Sequence, residues 1–262
     1  RVVTFTNGED STAVLSGFTI QNGYANPSFG IRYGGGIYCN GSSPSLKNIT
    51  ISNNLADDGG GISCHGSSPS LENVTISNNT GNDFGGGIDC NLSSNPILTN
   101  VTISGNSASN GGGIRCVGGS SPSLKNVTIS GNAANYGGGM HQTYSSSSIL
   151  TDVTITDNLG GGILSTNSQS SLSLTNVTIA NNSGGNGGAI IIDGSTAALV
   201  NCILWNNSPS YQFDGTIVVS YSDIQGGYEG EGNIEADPLF CDAENGDYSL
   251  AENSPCVGTG QD

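Results

Sequence analysis

A short motif recurs along the chain, and its spacing decides most of what the chain can become. Gly-Gly-Gly-Ile-x-Cys, or a close variant, is followed by Ser-Ser-Pro-Ser-Leu-x-Asn and then by Val-Thr-Ile-Ser-x-Asn. The residue after the glycines falls at Ile37, Ile62, Ile88, Ile114, Met140, Ile163 and Ile190, in steps of 25, 26, 26, 26, 23 and 27. Each unit holds three short alternating segments, such as Ile62 to Cys64, Ser70 to Glu72 and Val74 to Ser77, punctuated by Gly, Pro or Asn. Strands this short, with no helical period between them, bury an apolar face only by stacking on the same strand of the next unit. The expected fold is therefore an all-β solenoid of about ten coils of about 26 residues, with three short strands per coil. Residues 1–262 form one domain in this reading, with regular coils over 1–225 and a C-terminal capping segment over 226–262, cut from a longer protein.

Composition narrows the partners. Aromatic residues make up 6% and Met occurs once, so small apolar side chains must do the packing, and a helical bundle is excluded. Charged residues make up 10%, against roughly 25% in an ordinary domain, and the balance suits a secreted or cell-surface protein. The net charge of −16 repels a phosphate backbone and an anionic membrane. It also weighs against polyanionic glycans, which need clustered Lys and Arg or bound cations. No run approaches the ~20 apolar residues needed to span a bilayer, so membrane insertion is not expected. Neutral glycans, surface proteins and divalent ions remain as partners, with no cofactor required.

In a solenoid, chemistry is sought by reading down repeat positions. Cys39, Cys64, Cys90 and Cys116 share one inward column, where parallel side chains do not converge as a disulfide requires, and a stack of reduced thiols is expected. Cys202 takes a core position. Cys241 and Cys256 flank a loop with turn signals, Glu244 to Asp247, and are the disulfide candidates. Asn48, Asn73, Asn100, Asn126, Asn176 and Asn201, with Asp152 in register, occupy a corner where Asn tolerates left-handed backbone, and their side chains are expected to bond along the stack.

Four outward features could carry function. Asp89, Arg115 and His141 adjoin in the column between the Ile and the Cys, either as an acid-base site or as a solvated ion-pair ladder. Asp57, Asp58 and Asp83 precede the glycines and could hold Ca²⁺, or stand as loop acids partly neutralised by Arg32. Tyr33, Phe84 and Tyr136 recur every second coil, at ~9.6 Å for coils ~4.8 Å apart, a spacing that suits glycan stacking. They could equally shield a corner. Thr and Ser alternate outward along Val-Thr-Ile-Ser, giving a hydroxyl lattice that is a minor candidate for an ice-binding face and otherwise an ordinary exposed strand.

Over nearly its whole length the chain resembles the right-handed parallel β-helix proteins of the pectate-lyase-like superfamily. It looks most like secreted and surface bacterial members, whose C-terminal end carries runs such as Ser222 to Gly227, Asp237 to Phe240, Gly246 to Leu250 and Ser254 to Cys256. The opening, Val2 to Ile20, resembles the middle of such a helix, which implies coils upstream and an N-terminal strand edge open to end-to-end homopolymer assembly. The superfamily hosts lyases, hydrolases, adhesins and stalks alike. A lyase of this type would use a Lys or Arg base beside carboxylate-held Ca²⁺, whereas Arg1, Arg32, Lys47, Arg115 and Lys125 are scattered among columns. Coil lengths are nearly uniform, so no long loops wall a cleft, the larger insertion at Tyr24 to Tyr33 excepted. The leading expectation is an extracellular structural or adhesive rod. The rival is a polysaccharide lyase or glycoside hydrolase.

Overall fold

The computed structural model describes residues 1–25, 30, 32–184 and 188–261, so residues 26–29 and 31 of the Tyr24 to Tyr33 insertion lie outside the described residues. The repeat folds as one parallel β-solenoid. On its first face Val3–Phe5, Ile37–Asn40, Ile62–His65, Ile88–Asn91, Ile114–Cys116, Met140–Gln142 and Ile163–Thr166 stack in register, followed by the first residues of Ile190–Val200 and of Tyr211–Ser220. These are nine segments, so the ten coils expected are an overcount. The strands are also fewer per coil than expected. In the middle coils the second and third faces form one continuous strand, as in Ser70–Ser77 and Ile97–Ser104, bent at Asn73 and Asn100. Both bend residues have φ near +55°, which Asn accepts at little cost. The expected ladder of corner side chains is present: Asn73 Nδ2 donates to Asn48 Oδ1 at 3.1 Å, Asn100 to Asn73 at 3.1 Å, and Asn126 to Asn100 at 2.8 Å.

The core is a set of ladders of like side chains. Ile62, Ile88, Ile114 and Met140 run down the first face, Leu71, Leu98, Leu124 and Leu150 down the second, and Ile76, Ile103, Ile129 and Ile155 down the third, all buried. Each such side chain stabilises the fold by roughly 1.5–3 kcal/mol. The glycines before each first-face strand are required by close packing. A Cβ on Gly113 would lie 2.5 Å from the carbonyl oxygen of Gly139 in the next coil.

A second asparagine ladder lies inside the solenoid. Asn54, Asn79, Asn106, Asn132, Asn158, Asn182 and Asn207 are all buried; from Asn79 onward each Oδ1 accepts from the backbone N–H and the Nδ2 of the residue one coil earlier, and Asn54 Oδ1 accepts from the Gly23 backbone N–H. It closes the corner after the third face, where the chain leaves the sheet and its backbone groups would otherwise be buried without partners. Ser42, Ser67, Ser94 and Ser120 perform the same service at another corner, their hydroxyls accepting from the backbone N–H of Gly8, Ser42, Ser67 and Ser94, each one coil earlier.

Cys39, Cys64, Cys90 and Cys116 form the expected inward column of free, buried thiols, and Cys202 sits in the core. Hydrogen bonding to the neighbouring thiol and burial push Cys39 and Cys90 up, and the column has no opening to solvent through which a reagent could reach it. The Cys241 to Cys256 disulfide is a correction: both are free. Cys241 is exposed on Phe240–Asp242, whereas the Cys256 thiol donates to Asp223 Oδ2 at 3.1 Å. Native protein treated with a thiol reagent should therefore label at Cys241 within minutes and at the inward column only after denaturation. Mass mapping checks this, and fast labelling of Cys64 would contradict it.

The C-terminal segment both caps and doubles back. Ile234 pairs with Ser222 and Ile224 to close the last coil. The hairpin of Phe240–Asp242 and Asp247–Leu250 then lies against the third face, with Tyr248 Oη donating to Asp157 Oδ2 at 3.0 Å and accepting from Asn181 at 2.7 Å. The hydroxyl lattice is consequently not free over its length, because Tyr248 and Ser249 stand beside Thr154 and Thr156.

Candidate functional site

Alternation along the first face points Asp89, Arg115 and His141 outward, in register with one another, as expected. Outward is not exposed here. Gly85, Gly111 and Gly137 have φ of +57°, +66° and +61° and turn the chain back over this column, so closely that a Cβ on each would lie 2.7–2.9 Å from the Cβ of Asp89, Arg115 or His141. The residue before each glycine then covers the column. Asp58, Phe84, Asn110 and Tyr136 form this cover, itself a ladder in register. Asp89 is 0% exposed as a result, and the solvated ion-pair ladder is corrected to a buried network.

Arg115 Nη1 donates to Asp89 Oδ1 at 2.9 Å, and the guanidinium carbon sits 3.7 Å above the Phe84 ring. Asp89 Oδ2 and His141 Nδ1 are buried without hydrogen-bond partners. Burial raises the Asp89 carboxyl to about 6 although Arg115 opposes the shift. Asp58, half-buried in the cover, is raised to about 7 by burial first and then by the Asp89 charge. His141 is lowered to about 4 by burial and by the Arg115 charge. The network thus consists of one fixed cation, two carboxyls reluctant to ionise and a neutral imidazole.

The acids meant for calcium do not converge. Asp57 and Asp58 are adjacent in Leu55–Asp58 and face opposite ways: Asp57 Oδ2 accepts from Arg32 at 2.9 Å and Oδ1 from Asn82 at 3.1 Å, while Asp58 faces the network. Asp83 is exposed in a strand irregularity. Among the described residues no three carboxylate, imidazole or thiol groups are gathered as a metal would require. The aromatic column is also divided. Tyr33 packs against Tyr38 and His65 with ring centroids 5.9 and 4.4 Å away, Phe84 carries Arg115, and only Tyr136, at 56%, offers an open ring. The sequence reading missed Asp58 as a partner of Asp89 and missed His65. The signal lay in the constant distance from each cover residue to the column residue five places on, as from Phe84 to Asp89.

A profile of the right-handed β-helix region matches residues 4–133 and, in an overlapping second match, 60–227. The chain belongs to the right-handed β-helix family. No curated protein matches it. Among solved structures, this β-helix chain is similar to pectate lyase Pel9A, with a TM-score of 0.62 and 12% identity over 99% of this chain and 78% of that one. At that identity the likeness shows the fold alone, and the handedness and pectate-lyase-like architecture follow from the two comparisons together.

Proposed function

We propose that the chain is an extracellular β-helix rod that serves as a structural or adhesive element and does not cleave glycans. The observation behind this reading is the burial of Asp89 beneath Asp58, Phe84 and Arg115, which leaves the chain's main acid-base cluster without contact to a bulky substrate. Acid-base catalysis needs a group within hydrogen-bond reach of the reacting atom. Arg115, the basic residue nearest a carboxylate and a His, is spent on Asp89 and Phe84. The likeness to a pectate lyase supports a glycan as the natural partner of such a surface, and the charge of −16 supports a neutral one.

One observation favours the rival reading. Asp58 reaches solvent with its carboxyl raised to about 7, as a general acid of a glycoside hydrolase requires. A panel of neutral and acidic polysaccharides, assayed for new reducing ends and for unsaturated products with and without Ca²⁺, separates the two. The expected result is nothing above blank. Release that disappears in Asp58→Asn, Asp89→Asn or His141→Ala would establish the hydrolase or lyase instead.

A further inference from the structure

The corner that covers the outward column is shortened at two places in the sequence, after Asn158 and again, to four residues, at Asn207 to Tyr211. From the buried Asn to the first-face residue the chain takes eight residues at Asn54 to Ile62, Asn106 to Ile114 and Asn132 to Met140, but five at Asn158 to Ile163. The three residues lost belong to the corner that elsewhere supplies the covering side chain. In its place Gly160 and Gly161, with φ of +95° and +94°, carry the chain past the column with no side chain at all. Tyr136 is therefore the last member of the cover ladder before the gap. Beyond it lies a trough of about 230 Å³ floored by Leu164 and Ile191 and edged by Thr166, Asp193 and Gln212, with Tyr136 as its wall.

We infer that this trough is a binding site for a neutral oligosaccharide, an inference that rests on the adhesive reading above. A pyranose has apolar C–H faces and a rim of hydroxyls, and the trough has the matching parts. Tyr136 offers an exposed aromatic face, and Ile191, partly exposed beside the buried Leu164, offers apolar contact for a second ring. Gln212 can donate to and accept from sugar hydroxyls, Thr166, whose hydroxyl donates to Thr143 at 2.9 Å, can accept from one, and the Asp193 carboxylate accepts from two at once. Leu164, Ile191 and Gln212 are consecutive in register, so the floor extends over two coil steps, ~9.6 Å, about a disaccharide. Asp193 pairs in register with Asp214, which places two carboxylates on one edge and disfavours an acidic sugar there.

The test is calorimetric titration of the protein with xylotetraose, cellotetraose, mannotetraose and maltotetraose, with tetragalacturonate as the anionic comparison. At least one neutral oligosaccharide should bind, tetragalacturonate should bind at least tenfold more weakly, and Tyr136→Ala should weaken the neutral ligand tenfold or more. Ile191→Asn, which roughens the floor from the outward side, should do the same. Circular dichroism of both variants confirms that the fold is kept. Failure of every neutral probe to bind, tighter binding of tetragalacturonate, or equal affinity in both variants would overturn the trough as the site. Binding retained in the variants would leave the adhesive reading standing with its site elsewhere, whereas product formation during the titration would overturn that reading itself.

Discussion

Replacing Asn106 by alanine is expected to destabilise the protein by about 3 kcal/mol or more, the larger of two effects that distinguish its two asparagine ladders. Asn106 Nδ2 donates to Asn132 Oδ1 at 2.9 Å and to the Ile76 carbonyl at 3.0 Å, and its Oδ1 accepts from the backbone and side chain of Asn79, both at 2.9 Å. The substitution leaves the Asn79 N–H and the Ile76 carbonyl buried without these partners, at about 1–3 kcal/mol each. At roughly 2–4 °C per kcal/mol for a chain of this size, the melting temperature should fall by about 10 °C. Asn100→Gly is the comparison, because the outer ladder is solvent-exposed and glycine accepts its φ of +56°. Its expected cost is below about 1 kcal/mol. Equal shifts in the two variants, measured by thermal denaturation, would contradict the assignment of the inner ladder as the structural one.

Arg115→Ala should cost about 3–5 kcal/mol at pH 8, because it strands the Asp89 carboxylate in a fully buried position. The loss should shrink toward pH 5. Asp89 has its carboxyl raised to about 6 in the fold, against about 3.9 for an unfolded Asp, so its favourable contribution is fully present below about pH 4 and is lost as pH rises through about 6. Asp58 acts in the same sense up to about 7. His141 acts oppositely: lowered to about 4, it destabilises the fold by needing a proton removed, and that cost is gone above about pH 6.5. Melting curves of Arg115→Ala and of the pair Arg115→Ala with Asp89→Asn check this. The double variant should recover most of the loss at pH 8, and no recovery would contradict a stranded charge as the cause.

The fold was legible because a solenoid writes its core into the sequence at a fixed period. Ile62 with Ile88 and Leu71 with Leu98 are read as neighbours directly from their spacing, and the structure stacks them in register. The outer corner was legible for the same reason, since Asn73 and Asn100 stand between two strands whose alternation marks the bend. The inner ladder was hidden beside it. Asn79 follows Asn78 and Asn106 follows Gly105, at the start of a segment of variable composition, and only backbone geometry shows which residue of the pair turns inward. Asp89 was placed on the correct face and given the wrong surroundings, because a period of two says which way a side chain points and nothing about what folds over it. That depended on positive φ at Gly85 and on the length of the corner before it. The pairing of Cys241 with Cys256 failed on a long-range contact, the return of the tail to Asp223, which no local pattern encodes.

The claim on which the functional reading stands is that Asp89, Arg115 and His141, beneath the cover that Asp58, Phe84, Asn110 and Tyr136 form, are covered structure and not an active site. Titrating the two histidines by nuclear magnetic resonance tests it most directly, with His141 assigned by the His141→Gln variant. A covered, neutral His141 should hold a constant ring chemical shift from pH 8 to about 5 and titrate near 4. A midpoint near 6.5 would show the imidazole open to solvent and would contradict the account.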